Sequence, residues 1–275
     1  MSEYWMEEMH TDGYKVSWKI TRILNEEKTP FQELSVVETR EWGRTLVLDG
    51  AVQITEKDEF IYHEMIVHPV MYTHPRPEKV LIIGGGDGGT LREVLKHEEV
   101  KKVDMVEIDE RVVENSKMYF PQLAQAFAHP KARLFIEDGI KYVKETDEKY
   151  DVIIVDSSDP VGPAVELFGL DFYRNAYKTL RDDGMIVVQS ESPVFFQDAF
   201  LKVQKYLKEV FPYKFVYLTT CITYVSGPWT FTIGSKQYKP GKFPDDKKLI
   251  DGLKYYNEAV HSAAFALPNF IREML

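Results

Sequence analysis

Carboxylates recur at the ends of apolar runs in the middle of this chain. Residues 80–83 lead into a glycine-rich turn that contains Asp87, and residues 103–106 run into Glu107. Residues 134–136 are followed by Asp138, and residues 152–155 by Asp156, with Asp159 close behind. Read as buried parallel strands, these runs deliver all five acids to one place, because the ligand crevice of an open α/β sheet lies outside the carboxyl ends of its strands. That many like charges need something positive between them. The expected ligands are small cations, carrying more than one positive charge.

The turn Gly84-Gly85-Gly86-Asp87-Gly88-Gly89 fits G-x-G-x-x-G, after a strand and before a helical stretch, with Glu107 about 20 residues on. This points to a nucleoside-containing ligand, and both dinucleotide enzymes and adenosyl-sulfonium enzymes share the pattern. Glu107 suits a ribose diol, since a carboxylate can accept from both hydroxyls. Asp87 separates the two ligand classes. In the turn it would face the pyrophosphate of NAD, and a like-charge contact at about 4 Å and an effective dielectric of about 20 costs roughly 4 kcal/mol. An ammonium there gains instead. S-adenosylmethionine carries an ammonium beside a carboxylate, whereas its decarboxylated form carries the ammonium alone, so Asp87 favours the decarboxylated compound. Asp87 could also cap the following helix, a role compatible with ligand binding.

Asp138-Gly139 offers either an acceptor for an adenine amine or a helix cap. In the run Asp156-Ser157-Ser158-Asp159-Pro160-Val161-Gly162-Pro163, Pro160 biases Asp159 away from helical geometry. An extended loop there turns both aspartates to the crevice, unless it is simply a polar turn. Two carboxylates so close raise each other's pKa, which suits a general base. By contrast, His63-Glu64-Met65-Ile66-Val67-His68 only imitates a zinc helix. Its histidines are five apart, about 500° around a helix, where a zinc pair needs i, i+4. No metal is expected, and His68, His10 and His74 read as ordinary structural or surface residues.

The elements that must position these groups fall into two styles. From residue 14 to about 59 the pattern alternates, with turn residues at Asn25, Gly43 and Asp49-Gly50, as in an antiparallel β domain. From residue 80 strands alternate with helical stretches at 90–97, 110–118, 171–180 and 198–211, which predicts a parallel sheet with crossover helices. Residues 184–189 form a fifth strand, and 215–220 with 230–234 close the sheet as an antiparallel hairpin. A helix over 60–73, bounded by Pro69, Pro75 and Pro77, links the two regions.

At 275 residues and 44% apolar content the chain can build a full core. Its net charge of −10 argues against nucleic acid or an anionic membrane as partner. The single cysteine, Cys221, allows no intrachain disulfide, and the acidic start is unlike a signal peptide. No apolar run approaches the ~20 residues of a membrane span. A cytoplasmic protein is expected.

Taken together, Gly84-Gly-Gly-Asp-Gly-Gly, Tyr62-His-Glu-Met, Leu48-Asp-Gly, the Asp156–Pro163 run and the terminal Tyr255-Tyr256 with His261-Ser-Ala-Ala-Phe-Ala-Leu-Pro resemble the spermidine synthase family from Phe31-Gln32 to Pro268. The resemblance implies an α/β fold, with an N-terminal antiparallel β domain (1–62) and a methyltransferase-like Rossmann catalytic domain (63–275), in a homodimer or homotetramer. It implies transfer of an aminopropyl group from decarboxylated S-adenosylmethionine, a co-substrate, to putrescine, with no separate cofactor. Gln32, Glu107, Asp138, Gly139 and Pro163 would contact the nucleoside, and Asp87 the aminopropyl ammonium. Tyr62, His63, Asp159 and Tyr224, with Ser157 and Ser158 in the gatekeeping loop, would line the substrate channel. Asp156 would accept the proton, and Glu191 would lie near the distal amine or else be exposed.

The chain departs from the family pattern at Ile222 and Val225, where family members commonly have proline, which bears on the channel's shape. Other acceptors that suit the same carboxylates are cadaverine, agmatine and spermidine. A small-amine methyltransferase using intact S-adenosylmethionine is the nearest enzyme rival. A non-catalytic polyamine-binding protein would not need the Asp156–Asp159 pair.

Overall fold

Alternating sequence builds the first layer. Strands β1 (Tyr4–Thr11), β2 (Tyr14–Lys28), β3 (Glu33–Thr39), β4 (Gly43–Leu48) and β5 (Ala51–Thr55) pair in sequence order as one antiparallel sheet. Leu34, Val36, Leu46 and Ile54 are buried on one face. The β4–β5 connection is a two-residue turn, Asp49-Gly50, with φ of 48° and 80°. Both values are positive, as a type I′ hairpin requires. The computed structural model describes residues 4–158, 166–224 and 227–275.

The second layer follows from the long apolar runs. Helix α1 (Glu59–Thr73) leads to β6 (Lys79–Gly84), α2 (Gly89–Leu95), β7 (Lys102–Glu107), α3 (Glu110–Tyr119), α4 (Pro121–Ala124), β8 (Ala132–Ile136), α5 (Gly139–Glu145) and β9 (Tyr150–Asp156). There follow α6 (Leu170–Thr179), β10 (Leu180–Gln189), α7 (Gln197–Val210), β11 (Tyr213–Thr219), β12 (Trp229–Ser235), α8 (Glu258–Ala264) and α9 (Asn269–Arg272). The sheet order is β11-β12-β10-β9-β6-β7-β8. Its strands are parallel from β10 to β8, while β12 runs antiparallel to β10 and β11. This is the methyltransferase-like α/β arrangement. Strand β9 is buried along its whole length, as expected of a strand covered on both faces.

The chain winds outward from β6 toward β8, then returns to the other side of β6 as β9 and β10. The β6/β9 boundary is therefore the topological switch point, where a crevice opens at the carboxyl ends. Asp87 and Asp156 leave the sheet at this boundary.

Helix α1 is more than a linker. Thirteen of its residues are buried, from Glu59 to Tyr72, and a helix apolar all round belongs inside a core. Pro69 lies within it and does not bound it. An interior proline removes one backbone donor, here the one that would bond the Met65 carbonyl. The hydroxyl of Tyr217, on β11, donates to that carbonyl at 2.8 Å and fills the gap. Glu64 anchors the C-terminal segment, accepting from the backbone N–H groups of Lys254, Tyr255 and Tyr256 at 2.8–2.9 Å.

Candidate active site

Between the two sheets, at the switch point, lies a cavity of about 350 Å³. The first sheet contributes Gln32, Leu46 and Gln53, and the second the glycine turn and the ends of β7, β9 and the β8–α5 connection. The turn leaves no room for side chains. Gly84 has φ 83°, and a Cβ there would come within 2.1 Å of the Asp156 carbonyl oxygen. Gly85 donates its N–H to that same carbonyl at 2.8 Å, which binds the turn to the end of β9.

Asp156 is 9% exposed. Its Oδ1 accepts from the Tyr62 hydroxyl at 2.8 Å and its Oδ2 from the Thr90 hydroxyl at 2.6 Å. Burial raises its pKa, Asp87 raises it further, and His63 and the two hydroxyls partly offset this. The result is a stronger base than an ordinary aspartate. Tyr62 is buried beside a carboxylate, and both effects hold its phenol protonated, so it serves as a donor.

Asp87 Oδ1 accepts from the N–H of Gly89 at 2.6 Å, but it is not the N-cap expected from sequence: that position is Gly88, in the left-handed region with φ 89°. His63 Nε2 lies 3.2 Å from the same oxygen, within ion-pair range but off the line of a good hydrogen bond. His63 Nδ1 lies 2.6 Å from Glu59 Oε2, and Arg92 clasps Glu59 with two bonds of 2.9 and 3.0 Å. Burial would lower the pKa of His63, but Asp87 and Glu59 outweigh it and push it up to about 10. His63, Asp87 and Asp156 bring donor atoms within 4.8 Å of one another, a spacing a metal could accept. As an imidazolium the ring would offer no lone pair to a metal. His68 faces elsewhere, with Nε2 3.1 Å from Glu93 and Nδ1 3.0 Å from His97.

At the other end of the cavity Glu107 accepts from the N–H groups of Gly86 at 3.1 Å and Asp109 at 2.9 Å. Burial is the main influence on it and, with Asp109 nearby, pushes its pKa up to about 7. Asp138 also lines the cavity and caps α5, accepting from Ile140 N–H at 2.7 Å. Both readings of Asp138 are thus spatially open. Gly139 is required by packing, since a Cβ would come within 2.5 Å of Ile83. Gln32 donates to Asp109 Oδ2 at 2.9 Å, which ties the first sheet to α3.

Tyr224, Ser157 and Ser158 line the opposite wall. The Tyr224 hydroxyl donates to the Gln53 carbonyl at 2.6 Å, and its ring lies 5.6 Å from that of Tyr62. Glu191 is not exposed after β10 but fully buried, with φ 67° and its Oε1 accepting from Gln189 at 3.0 Å. Gln189, not Glu191, lines a smaller cavity beside the first. Asp159, Pro163 and Val225 lie outside the described residues.

Several residues at the site were not singled out from sequence. Thr90 reaches Asp156, Asp109 orders Gln32 and Glu107, and Glu59 with Arg92 braces His63. His10, set aside as ordinary, lines both cavities. For Thr90 the signal was available, because it is the first hydroxyl after the glycine turn.

Residues 59–243 match the spermine/spermidine synthase domain family, and residues 4–56 the spermidine synthase tetramerisation domain family. A polyamine aminopropyltransferase of Thermoanaerobacter sp. is 48% identical over 272 residues, covering 99% of this chain and 98% of that protein. One from Bacillus subtilis is 45% identical over the full length of both. The crystal structure of spermidine synthase from Thermotoga maritima superposes with a TM-score of 0.93 at 40% identity, over 99% of this chain and 94% of the other. A spermidine synthase in complex with the transition-state analogue AdoDATO gives the same values.

Proposed function

The chain belongs to the spermine/spermidine synthase family and is an aminopropyltransferase of polyamine biosynthesis, and we propose that it moves the aminopropyl group of decarboxylated S-adenosylmethionine onto putrescine. The products are spermidine and 5′-methylthioadenosine. The observation that carries this reading is the charge of the cavity. Asp49, Asp87, Glu107, Asp138 and Asp156 line it, and among the described residues no lysine or arginine does. The donor brings a sulfonium and an ammonium and the acceptor two amines, which suits such a wall.

In this reading Glu107 takes the ribose diol, Asp138 the adenine amine, and Gln32 and Gly139 flank the nucleoside. Asp87 takes the aminopropyl ammonium. The diamine lies along Tyr62, His63, Ser157, Ser158 and Tyr224, and Asp159 and Pro163 keep the roles the resemblance gives them. A primary amine resembles Lys, with a pKa of about 10.4, so freeing its nitrogen at pH 7 costs roughly 4–5 kcal/mol. Asp156 accepts that proton. The nitrogen then attacks the propyl carbon next to sulfur, the C–N bond forms as the C–S bond breaks, and the electron pair leaves on sulfur. Tyr62 and Thr90 fix the carboxylate so that attack is in line. The match of residues 4–56 to a tetramerisation domain family supports assembly as a homodimer or homotetramer.

The test is release of methylthioadenosine with a panel of amines and identification of each product. Putrescine should give the highest kcat/KM and spermidine as product; a higher value for cadaverine or agmatine would reassign the acceptor. Asp156→Asn should lose about 10²–10⁴-fold in turnover while still binding methylthioadenosine. Undiminished turnover at pH 7 would remove Asp156 from the base role.

A further inference from the structure

We propose that Glu59 and Arg92 are positioning residues that hold His63 as an imidazolium, a built-in counter-ion that fixes the Asp87 carboxylate for the donor's ammonium. A carboxylate oxygen approaches the ring on both sides, as a hydrogen bond at Nδ1 and as an ion-pair contact at Nε2. Nδ1 lies 2.6 Å from Glu59 Oε2 and Nε2 3.2 Å from Asp87 Oδ1, and an ionised carboxylate only accepts. A neutral ring has one N–H, so either tautomer would set a lone pair against a carboxylate oxygen. Nor is the ring free to turn away. It lies so close to Gly89 that a Cβ there would be 2.1 Å from its Cε1, and Tyr62 meets it edge-on at 5.6 Å.

Glu59 is held just as firmly. Arg92, on α2, bonds both its oxygens, and Arg92 Nε also reaches Glu93 at 2.7 Å. Glu93 in turn accepts from Lys96 at 2.6 Å and faces His68 at 3.1 Å. A row of alternating charges thus runs from the cavity wall through the α1–α2 interface, and His63 is its cavity-lining end. Among the described residues three carboxylates act on the ring: Glu59 from its own helix, Asp87 from the glycine turn and Asp156 from the end of β9. Among the described residues, the contacts of Asp87 to Gly89 N–H and to His63 both fall on Oδ1, which leaves Oδ2 for the ligand. Without the positive charge on the ring, Asp87 would lose the ion-pair contact that, with Gly89 N–H, holds Oδ1 among the described residues.

The charge state stands on this geometry, while its consequence rests on the aminopropyl-transfer reading, and the experiment separates the two. In ligand-free protein, long-range 1H–15N NMR at pH 8, with His63 assigned through His63→Gln, should show both ring nitrogens protonated. A neutral tautomer would overturn the proposal whatever the reaction. In Glu59→Gln, loss of the charge should move deprotonation of His63 down by about 1–3 pH units from about 10. Methylthioadenosine release should then show kcat/KM for decarboxylated S-adenosylmethionine falling about 10- to 100-fold at pH 9 and recovering toward pH 7. Arg92→Lys should give a smaller effect of the same shape. A Glu59→Gln profile that tracks the wild type, with unchanged donor KM, would refute the positioning role, as would a loss equal at all pH values. Should Glu59→Gln fail to fold, the wild-type NMR result still decides. An imidazolium in a protein that forms no aminopropylated amine would sink the transfer reading and leave the counter-ion intact.

Discussion

Each carboxylate at the site behaves according to its immediate neighbours. Asp138 is held by one backbone N–H, Asp156 by two hydroxyls, and Glu107 by two backbone N–H groups under full burial. Burial pushes Glu107 up to about 7, so near neutrality it is divided between acid and carboxylate. For folding, such a raised carboxyl contributes stability that is complete below about 4.5 and lost as pH rises through 7. In the proposed role of Glu107 at the ribose the sign for ligand binding is reversed, because only a carboxylate accepts from both hydroxyls. Affinity for methylthioadenosine should fall about 10-fold between pH 8 and pH 6, as read by calorimetry, and Glu107→Gln should abolish most of that dependence. A flat profile in the wild type would take Glu107 off the ribose. These acids were legible because each follows an apolar strand. Their partners were not: Glu59 and Arg92 meet only because α1 packs on α2, and no local spacing announces that contact.

Among the elements, the strands were the easiest to read, since apolar runs ended by Gly or Asp allow little else. Two readings failed for physical reasons. Pro69 looked like a boundary because proline breaks helices in isolation, but here a distant tyrosine supplies the missing donor. Strand β10 begins at Leu180, before Gly184, because Leu180 pairs with Tyr150 across an irregularity that residue type does not reveal. The Pro69 repair makes a prediction. Tyr217→Phe keeps the ring stacked on Phe231 at 5.3 Å but leaves the buried Met65 carbonyl without its donor. Urea unfolding should show a loss of about 1–3 kcal/mol. Unchanged stability would mean that the helix closes the gap by itself.

On the scale of the whole molecule, the site exists because two sheets of different style meet over one switch point. The first sheet roofs one end of the cavity through Gln32 and Leu46 and adds Asp49, and the second supplies the other acids. Sequence pattern gave both sheets, but not the way that His10 from the first hairpin reaches the cavity. That hairpin also leaves Tyr4, Trp5 and Met9 more than half exposed. Together with the match to a tetramerisation domain family, this predicts a multimer by light scattering, weakened by Trp5→Glu; a wild-type monomer at assay concentration would contradict it. The central claim, a crevice built for cations, is tested most directly by calorimetry with decarboxylated and intact S-adenosylmethionine side by side. The two ligands differ by one carboxylate beside the ammonium that, in the proposed function, Asp87 holds. At a cost of roughly 4 kcal/mol for that contact, the decarboxylated form should bind about 1000-fold more tightly. Equal affinities would contradict the account.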